Sequence, residues 1–185
     1  DIQILATSDT HGKFMPYEYA TNSESKSGSM TQIATAVKQF KKANPNTIIV
    51  DAGDVIQDNS ASLFLNEEIH PMVLAMNEIG YDTWTLGNHE FNYGIPTLDK
   101  ISSQFKGTVL CGNVYRQDGT RLGQPYKIIE KSDVKVGIIG MTTPNITKWD
   151  AENLKDCKVT DPVEETKKVI SEIKDKVDVI VAVVH

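Results

Sequence analysis

Only two cysteines occur in the 185 residues, Cys111 and Cys157, and their separation matches no zinc-ligand spacing and no repeated disulfide framework. A thiolate metal centre and a small stapled scaffold are both excluded. Cys111, inside Gly107-Thr108-Val109-Leu110-Cys111, reads instead as a small core residue. Basic clusters are missing as well. The net charge is −6 with no lysine or arginine block, so the positive stripe that would bind a nucleic-acid polymer is absent. No apolar run approaches the roughly 20 residues of a membrane span, and neither end reads as a signal peptide. No G-x-x-x-x-G-K-S/T loop, no G-x-G-x-x-G after a strand and no G-x-S-x-G elbow occurs, which leaves three common nucleotide and hydrolase chemistries without their motifs. Ser27-Gly28-Ser29 before a helix could cradle an anion or serve only as a cap. No repeat or low-complexity linker interrupts the chain, whose length and 24% charged residues fit one domain with a real core over residues 1–185.

What is present is an alternation of apolar runs with two different periods. Asp1 to Ser8 and Thr47 to Val50 read as strands entering a sheet, the second buried on both faces. Between them, residues 13–28 read as a long surface loop. Ser29-Met30-Thr31-Gln32 then resembles a capping box ahead of Ile33, Ala36, Val37 and Phe40 at helical spacing, with a stop near Asn44-Pro45. A helix is predicted from Pro71 to Gly80, a strand over Tyr81–Leu86, a helix from Pro96 to Phe105 and a strand from Thr108 to Gly112. Tyr126–Glu130 and Val134–Gly140, separated by Lys131-Ser132-Asp133, read as a hairpin. Asp161 caps a helix with Val163, Ile170, Ile173 and Val177 as its apolar positions. The run from Val177 to Val184 reads as a buried strand ending at His185. This pattern predicts an α/β sandwich whose sheet is largely parallel at its start.

Strand ends in such a fold are where ligands bind, and here they are rich in donors. The successive ends carry Asp9 and His11, Asp51-Ala52-Gly53-Asp54, Gly87-Asn88-His89-Glu90, and His185. Any one of these could be a turn capped by its own side chains. Together they point to metal. His70, before Pro71, is the histidine outside the set and reads as a loop residue. The donors Asp9, His11, Asp54, Asn88 and His185 are carboxylate, imidazole and amide without thiolate, which suits Mn²⁺, Mg²⁺ or Zn²⁺. Five ligands exceed what one zinc uses, so two cations sharing a carboxylate is the economical arrangement. Such a pair can hold a nucleophilic hydroxide and the oxygens of an in-line phosphoryl transfer, and would bring the formal charge from −6 to about −2. His89 follows a ligand directly and should face another way. It is either a proton donor to a departing alkoxide or a group orienting the ligands from behind.

Asp9-x-His11, Gly53-Asp54, Gly87-Asn88-His89-Glu90 and the apolar strand ending in His185 resemble the calcineurin-like metallophosphoesterases. More narrowly, the chain resembles the amino-terminal catalytic domain of the 5′-nucleotidase and 2′,3′-cyclic-nucleotide 2′-phosphodiesterase superfamily. The resemblance implies an αββα sandwich and a pair of divalent ions, Mn, Zn, Mg or Fe. It implies that Asp9, His11 and Asp54 hold one ion and Asp54, Asn88 and His185 the other. It also implies a Gly-His-x-His motif some tens of residues beyond His185, so that the domain here is incomplete at its carboxyl end and the fragment inactive by itself. A carboxyl-terminal domain that holds the nucleobase, and export to the periplasm, cell wall or medium, are implied in the same way. Asp58, after Gln57, stands where the family often has glycine.

Within the superfamily, Asn92 and the stretch Thr143-Pro144-Asn145-Ile146-Thr147-Lys148-Trp149-Asp150 favour the cyclic phosphodiesterase branch, which also acts as a 3′-nucleotidase. The 5′-nucleotidase branch usually has aspartate at the position of Asn92, where it supports the catalytic histidine; His89 and Asn92 are therefore the expected catalytic pair. The substrate expected is a small nucleotide. A 5′-nucleotidase or UDP-sugar hydrolase is the alternative within the superfamily, and a nucleotide-binding module without turnover is the alternative of another class.

Overall fold

Three strand–helix–strand passages build the first sheet of the computed structural model, which describes residues 1–185. Strand β1 (Gln3–Thr7) is followed by a two-stranded ladder, β2 (Tyr17–Glu18) with β3 (Ser23–Glu24), and by helix α1 (Met30–Ala43). Strand β4 (Thr47–Asp51), helix α2 (Pro71–Ile79), strand β5 (Thr83–Thr85), helix α3 (Ile95–Ser102) and strand β6 (Thr108–Leu110) complete the sheet, in the order β1-β4-β5-β6 and parallel throughout. Next come β7 (Val114–Tyr115), β8 (Tyr126–Lys131), β9 (Val134–Met141), the short helix α4 (Ile146–Trp149), β10 (Lys158–Val159), α5 (Pro162–Ile173) and β11 (Val179–Val184). Strands β8 and β9 form the predicted antiparallel hairpin and β11 adds parallel to β9. A second ladder joins β10 to β7.

Side-chain alternation divides the core into the layers of an αββα sandwich. Successive residues of a strand face opposite sides. Thus Ile49 of β4 packs with Val37, Val73, Met76 and Leu98 beneath helices α1 to α3. Its neighbours Ile48 and Val50 meet Leu110, Val136 and Ile138 between the two sheets. On the outer face of the second sheet, Ile139 and Met141 of β9 pack on Val169 and Ile173 of α5. All five residues of β4 are buried, as its β-branched run requires.

Helix ends follow the capping residues read in the sequence. Ser29 accepts from the Gln32 N–H while its own N–H donates to Gln32 Oε1, so this stretch is a capping box within the protein rather than an anion cradle. Gly80 closes α2 in the left-handed region with φ of 81°. Lys41 of α1 then donates to the carbonyls of Ile79 and Gly80, complementing the negative end of α2.

Several expectations need correction. Strand β11 is not buried: it pairs on one side only, and Val183 alone is covered while Val179 and Val184 are exposed. The inward face of α5 is Glu165, Val169 and Ile173, spaced by four; Val163 and Ile170 point outward and the helix ends before Val177. Phe40 is exposed, and α1 buries Met30 and Val37 instead. His70 is no loop histidine. It is a buried cap whose Nδ1 accepts from the Met72 N–H and whose Nε2 lies 3.1 Å from the Ala61 carbonyl. The long loop of residues 13–28 contains the β2–β3 ladder. Cys111 is buried as expected, both cysteines are free, and burial pushes the Cys111 thiol up to about 12.

Candidate metal centre

Parallel pairing lines up the carboxyl ends of β1, β4 and β5, and the backbone continues the alignment past them. The Asp9 N–H donates to the Gly53 carbonyl (2.9 Å) and the His11 N–H to the Asp54 carbonyl (2.9 Å). The loop after β1 is thereby fastened to the loop after β4. In the second sheet, the His185 N–H donates to the Met141 carbonyl at 3.1 Å. Asp9, His11 and Asp54 all adopt positive φ, 54°, 45° and 61°. Non-glycine residues held there cost about 1–3 kcal/mol each and persist where surrounding structure dictates them.

The sequence-derived donors converge. One atom each from Asp9, His11 and Asp54 lies within 4.8 Å of the others: His11 Nε2 is 3.6 Å from Asp9 Oδ1 and 3.8 Å from Asp54 Oδ2. On the other side of the same Asp54 Oδ2, His185 Nε2 approaches to 3.1 Å and also lies 3.0 Å from Asn88 Oδ1. Asp54 Oδ1 is taken up by the His89 N–H at 2.8 Å. Oδ2 is therefore the oxygen that faces both histidines.

All three histidines of the cluster are oriented alike. Nδ1 of His11 lies 3.1 Å from Gln57 Oε1, Nδ1 of His89 2.7 Å from Asn92 Oδ1, and Nδ1 of His185 2.7 Å from the Ala52 carbonyl. A carbonyl oxygen only accepts, so each ring carries a proton on Nδ1 and turns Nε2 to the site, where that of His185 faces two acceptors. For a ligating histidine this second partner fixes tautomer and direction. The rings of His11 and His89 meet edge to face, 5.3 Å apart.

Electrostatics ties the two sides of Asp54 together. Burial alone would raise its carboxyl; the hydrogen bonds from His185 and from the His89 N–H outweigh that and hold it below the usual range. His185 is raised to about 9 by the hydrogen bond to Asp54, against the effect of its burial. Nearby, burial pushes Asp51 up to about 7, while Thr7 Oγ1 (2.6 Å) and the Gly53 N–H (2.8 Å) donate to its oxygens and shape the glycine turn.

A carboxylate that the motif reading left without a role supports the whole floor. Glu90 is fully buried, and burial raises its carboxyl. Its Oε2 accepts from the Asp54 and Gly87 N–H groups (2.8 and 2.7 Å), and Oε1 from Val55 and, more weakly, Ile56 (2.6 and 3.4 Å). It therefore clasps the loop after β4 to the loop after β5. The two glycines between these loops touch back to back: a Cβ on Gly53 would sit 2.3 Å from Gly87 N, and one on Gly87 would sit 2.3 Å from Asp54 Oδ1. A buried acid directly after Asn88-His89 was the available signal for Glu90, since such a group must find donors.

Gln57, Asp150 and Asn153 also enter the site without having been assigned to it. Asp150 receives the Asn92 amide, whose Nδ2 lies 3.2 and 3.1 Å from its two oxygens. Asn153 Nδ2 donates to the carbonyls of Phe91 and Asn92. Asp58 has φ of 76°, the region that favours glycine.

The donor set fits divalent cations. Two groups of candidate ligand atoms, Asp9/His11/Asp54 and Asp54/Asn88/His185, share one carboxylate oxygen, contain no thiolate, and turn Nε2 of each histidine toward the shared oxygen. No helix is long and apolar enough to cross a membrane.

Comparison with known proteins gives the family and the fold. A family model described as calcineurin-like phosphoesterase matches residues 2–185. The chain is 36% identical to the trifunctional nucleotide phosphoesterase protein YfkN of Bacillus subtilis, over all of this chain and 14% of that protein. A crystal structure of calcineurin-like phosphoesterase YfkN from Bacillus subtilis superposes with a TM-score of 0.92 at 35% identity, covering 100% of this chain and 61% of that one. The 2′,3′-cyclic-nucleotide 2′-phosphodiesterase/3′-nucleotidase of Haemophilus influenzae is 32% identical, as is the 5′-nucleotidase of Vibrio cholerae; each alignment takes in all of this chain. The chain spans 31% and 33% of the length of those two relatives.

Proposed function

The chain belongs to the calcineurin-like phosphoesterase family, and from that premise we propose that the full-length protein hydrolyses 2′,3′-cyclic nucleotides to 3′-nucleotides and then 3′-nucleotides to nucleosides. The observation that carries the reading is the cluster of Asp9, His11, Asp54, Asn88 and His185 around Asp54 Oδ2, with His89 beside it and Asn92 at its back. Asp9, His11 and Asp54 would hold one divalent cation and Asp54, Asn88 and His185 a second. Bound there, the two cations supply a nucleophile from water at neutral pH and positive charge opposite the phosphoryl oxygens.

The protein's own part is positioning and proton transfer. Asp54 and Asn88 would hold the cations between the strand ends, and the anionic phosphate would be met by that positive charge. The oxygen of water adds to phosphorus, the P–O2′ bond breaks, and the ribose oxygen leaves with a proton from Nε2 of a His89 ring protonated on both nitrogens; the proton of the attacking water returns to solvent, which reprotonates Nε2 after the turnover. His89 suits this role because its Nδ1 is engaged by Asn92 while Nε2 makes no hydrogen bond within the chain. A carboxyl-terminal domain that recognises the base, and export from the cytoplasm, belong to the same proposal.

Asn92 at the back of His89, together with the relatives named 2′,3′-cyclic-nucleotide 2′-phosphodiesterase/3′-nucleotidase, supports this branch. A 5′-nucleotidase is the second reading, supported by the Vibrio cholerae relative at the same identity. A module that binds nucleotides without turnover fits poorly, because no donor of the cluster has been lost. The test is turnover of 2′,3′-cyclic AMP and of 5′-AMP by the full-length protein with Mn²⁺. Hydrolysis of 5′-AMP without the cyclic substrate would overturn the branch, and fewer than one bound ion per chain would revive the binding module.

A further inference from the structure

We propose that Asp150 is a positioning residue for His89, acting through Asn92; the inference rests on the reading of His89 as the proton donor. An amide behind a catalytic histidine has an ambiguity that a carboxylate does not. It can present its oxygen to the imidazole or, rotated by half a turn, its NH₂ group. Only the first orientation accepts from Nδ1–H and leaves Nε2 to face the site. The second would point an N–H group at Nδ1, so Nδ1 could carry no proton and the doubly protonated ring that donates from Nε2 could not form.

Asp150 removes the ambiguity. Both of its oxygens lie against Asn92 Nδ2, at 3.2 and 3.1 Å. Rotating the amide would set Asn92 Oδ1 against a carboxylate, acceptor to acceptor. Asn92 Oδ1 is thus committed to His89 Nδ1 at 2.7 Å. The carboxylate is itself held in place. Its N–H donates to the Ile146 carbonyl at the end of α4, Ile146 is fully buried in the helix-side core, and Asn153 Nδ2 grips the carbonyls of Phe91 and Asn92 while reaching Asp150 Oδ1 at 3.5 Å. Residues 145–153 therefore form a bracket for the turn that carries His89, brought from 58 positions away. The negative charge is not missing from this site. It stands one residue further back, with an amide interposed.

Two measurements on the full-length, metal-loaded protein separate this role from a merely structural one. A leaving 4-nitrophenolate needs no proton, whereas a ribose alkoxide does. Asp150→Ala should lower kcat on the nucleotide ester that the protein turns over by about 10²-fold, and lose much less on bis(4-nitrophenyl) phosphate. Asp150→Asn, whose amide keeps an acceptor for Asn92 Nδ2 but can turn either face to it, should recover only part of the loss. Equal losses on both substrates, or no loss on either, would overturn the proposal. The second measurement needs no turnover. In long-range proton–nitrogen spectra of histidine-labelled protein, His89 should be the Nδ1–H tautomer in the native chain and a mixture in Asp150→Ala. An unchanged tautomer overturns the proposal even if the native protein hydrolyses no nucleotide, an outcome that would count against the function proposed above instead.

Discussion

The two halves of the proposed ligand cluster differ in how much is already settled before any cation arrives. On the Asp9 side, His11 Nε2 stands 3.6 to 3.8 Å from the carboxylate oxygens, beyond hydrogen-bond reach, on a loop whose ligands sit at strained positive φ. On the Asn88 side, His185 Nε2 is 3.1 Å from Asp54 Oδ2 and 3.0 Å from Asn88 Oδ1, so a proton bridges the donors. The first half is preorganised by backbone geometry, and the second by hydrogen bonds. A cation entering the second half must therefore displace a proton, whereas one entering the first meets donors not bonded to each other.

Removing what both halves share is the most severe challenge to this contrast. Asp54→Asn should cost on the order of 10³-fold in phosphoesterase activity and empty both halves, read as metal content per chain. Loss of one ion with the other retained would show that Asp54 serves only one side.

Glu90→Gln attacks the floor beneath both. One oxygen and an NH₂ group would face four N–H donors, so stability should fall by about 3 kcal/mol, read from denaturant unfolding, with affinity weakened in both halves alike. A loss confined to one half would mean that the loops after β4 and β5 are not clasped as a unit.

Acidity distinguishes the halves next. Because His185 is raised to about 9 by Asp54, cation affinity on its side should weaken by about tenfold per pH unit below that value, measured by titration with Mn²⁺. The metal-free protein should show the reverse dependence. A raised histidine contributes its stability in full below its unfolded value near 6.5 and loses it as pH climbs through about 9, so the thermal midpoint should decline across that window. A flat profile would deny the His185–Asp54 pair.

A more modest change is expected in the strained loop. Asp58→Gly, at φ of 76°, should stabilise the protein by about 0.5–1 kcal/mol, read as a raised thermal midpoint. A loss would indicate that the side chain's contact with the Asn59 N–H outweighs the relief.

Much of this site was legible because polar residues that end several apolar strands must be met by something, and a cation satisfies carboxylate, amide and imidazole at once. Asp9, Asp54 and Asn88 could be gathered on paper, since the adjacent parallel strands β1, β4 and β5 bring their carboxyl ends together; His185, at the end of β11 in the other sheet, joined them only as one more strand end rich in donors. The clasp of Glu90 and the bracket of Asp150 were not legible in the same way. Each depends on which backbone N–H or amide the folded chain happens to face, and Asp150 meets Asn92 across 58 residues. The helix faces of α1 and α5 slip by a position or two because Phe40, Val163 and Ile170 are apolar without being inward.

The back-to-back contact of Gly53 and Gly87, closed over by Glu90, bears on motion. The amide hydrogens of Asp54, Val55 and Gly87 belong to loops, where exchange with solvent is ordinarily fast. Here they point into a buried carboxylate and can meet water only if both strand ends part together. They should exchange on the timescale of the central strands, so the most chemically exposed end of the sheet is also among the slowest to open.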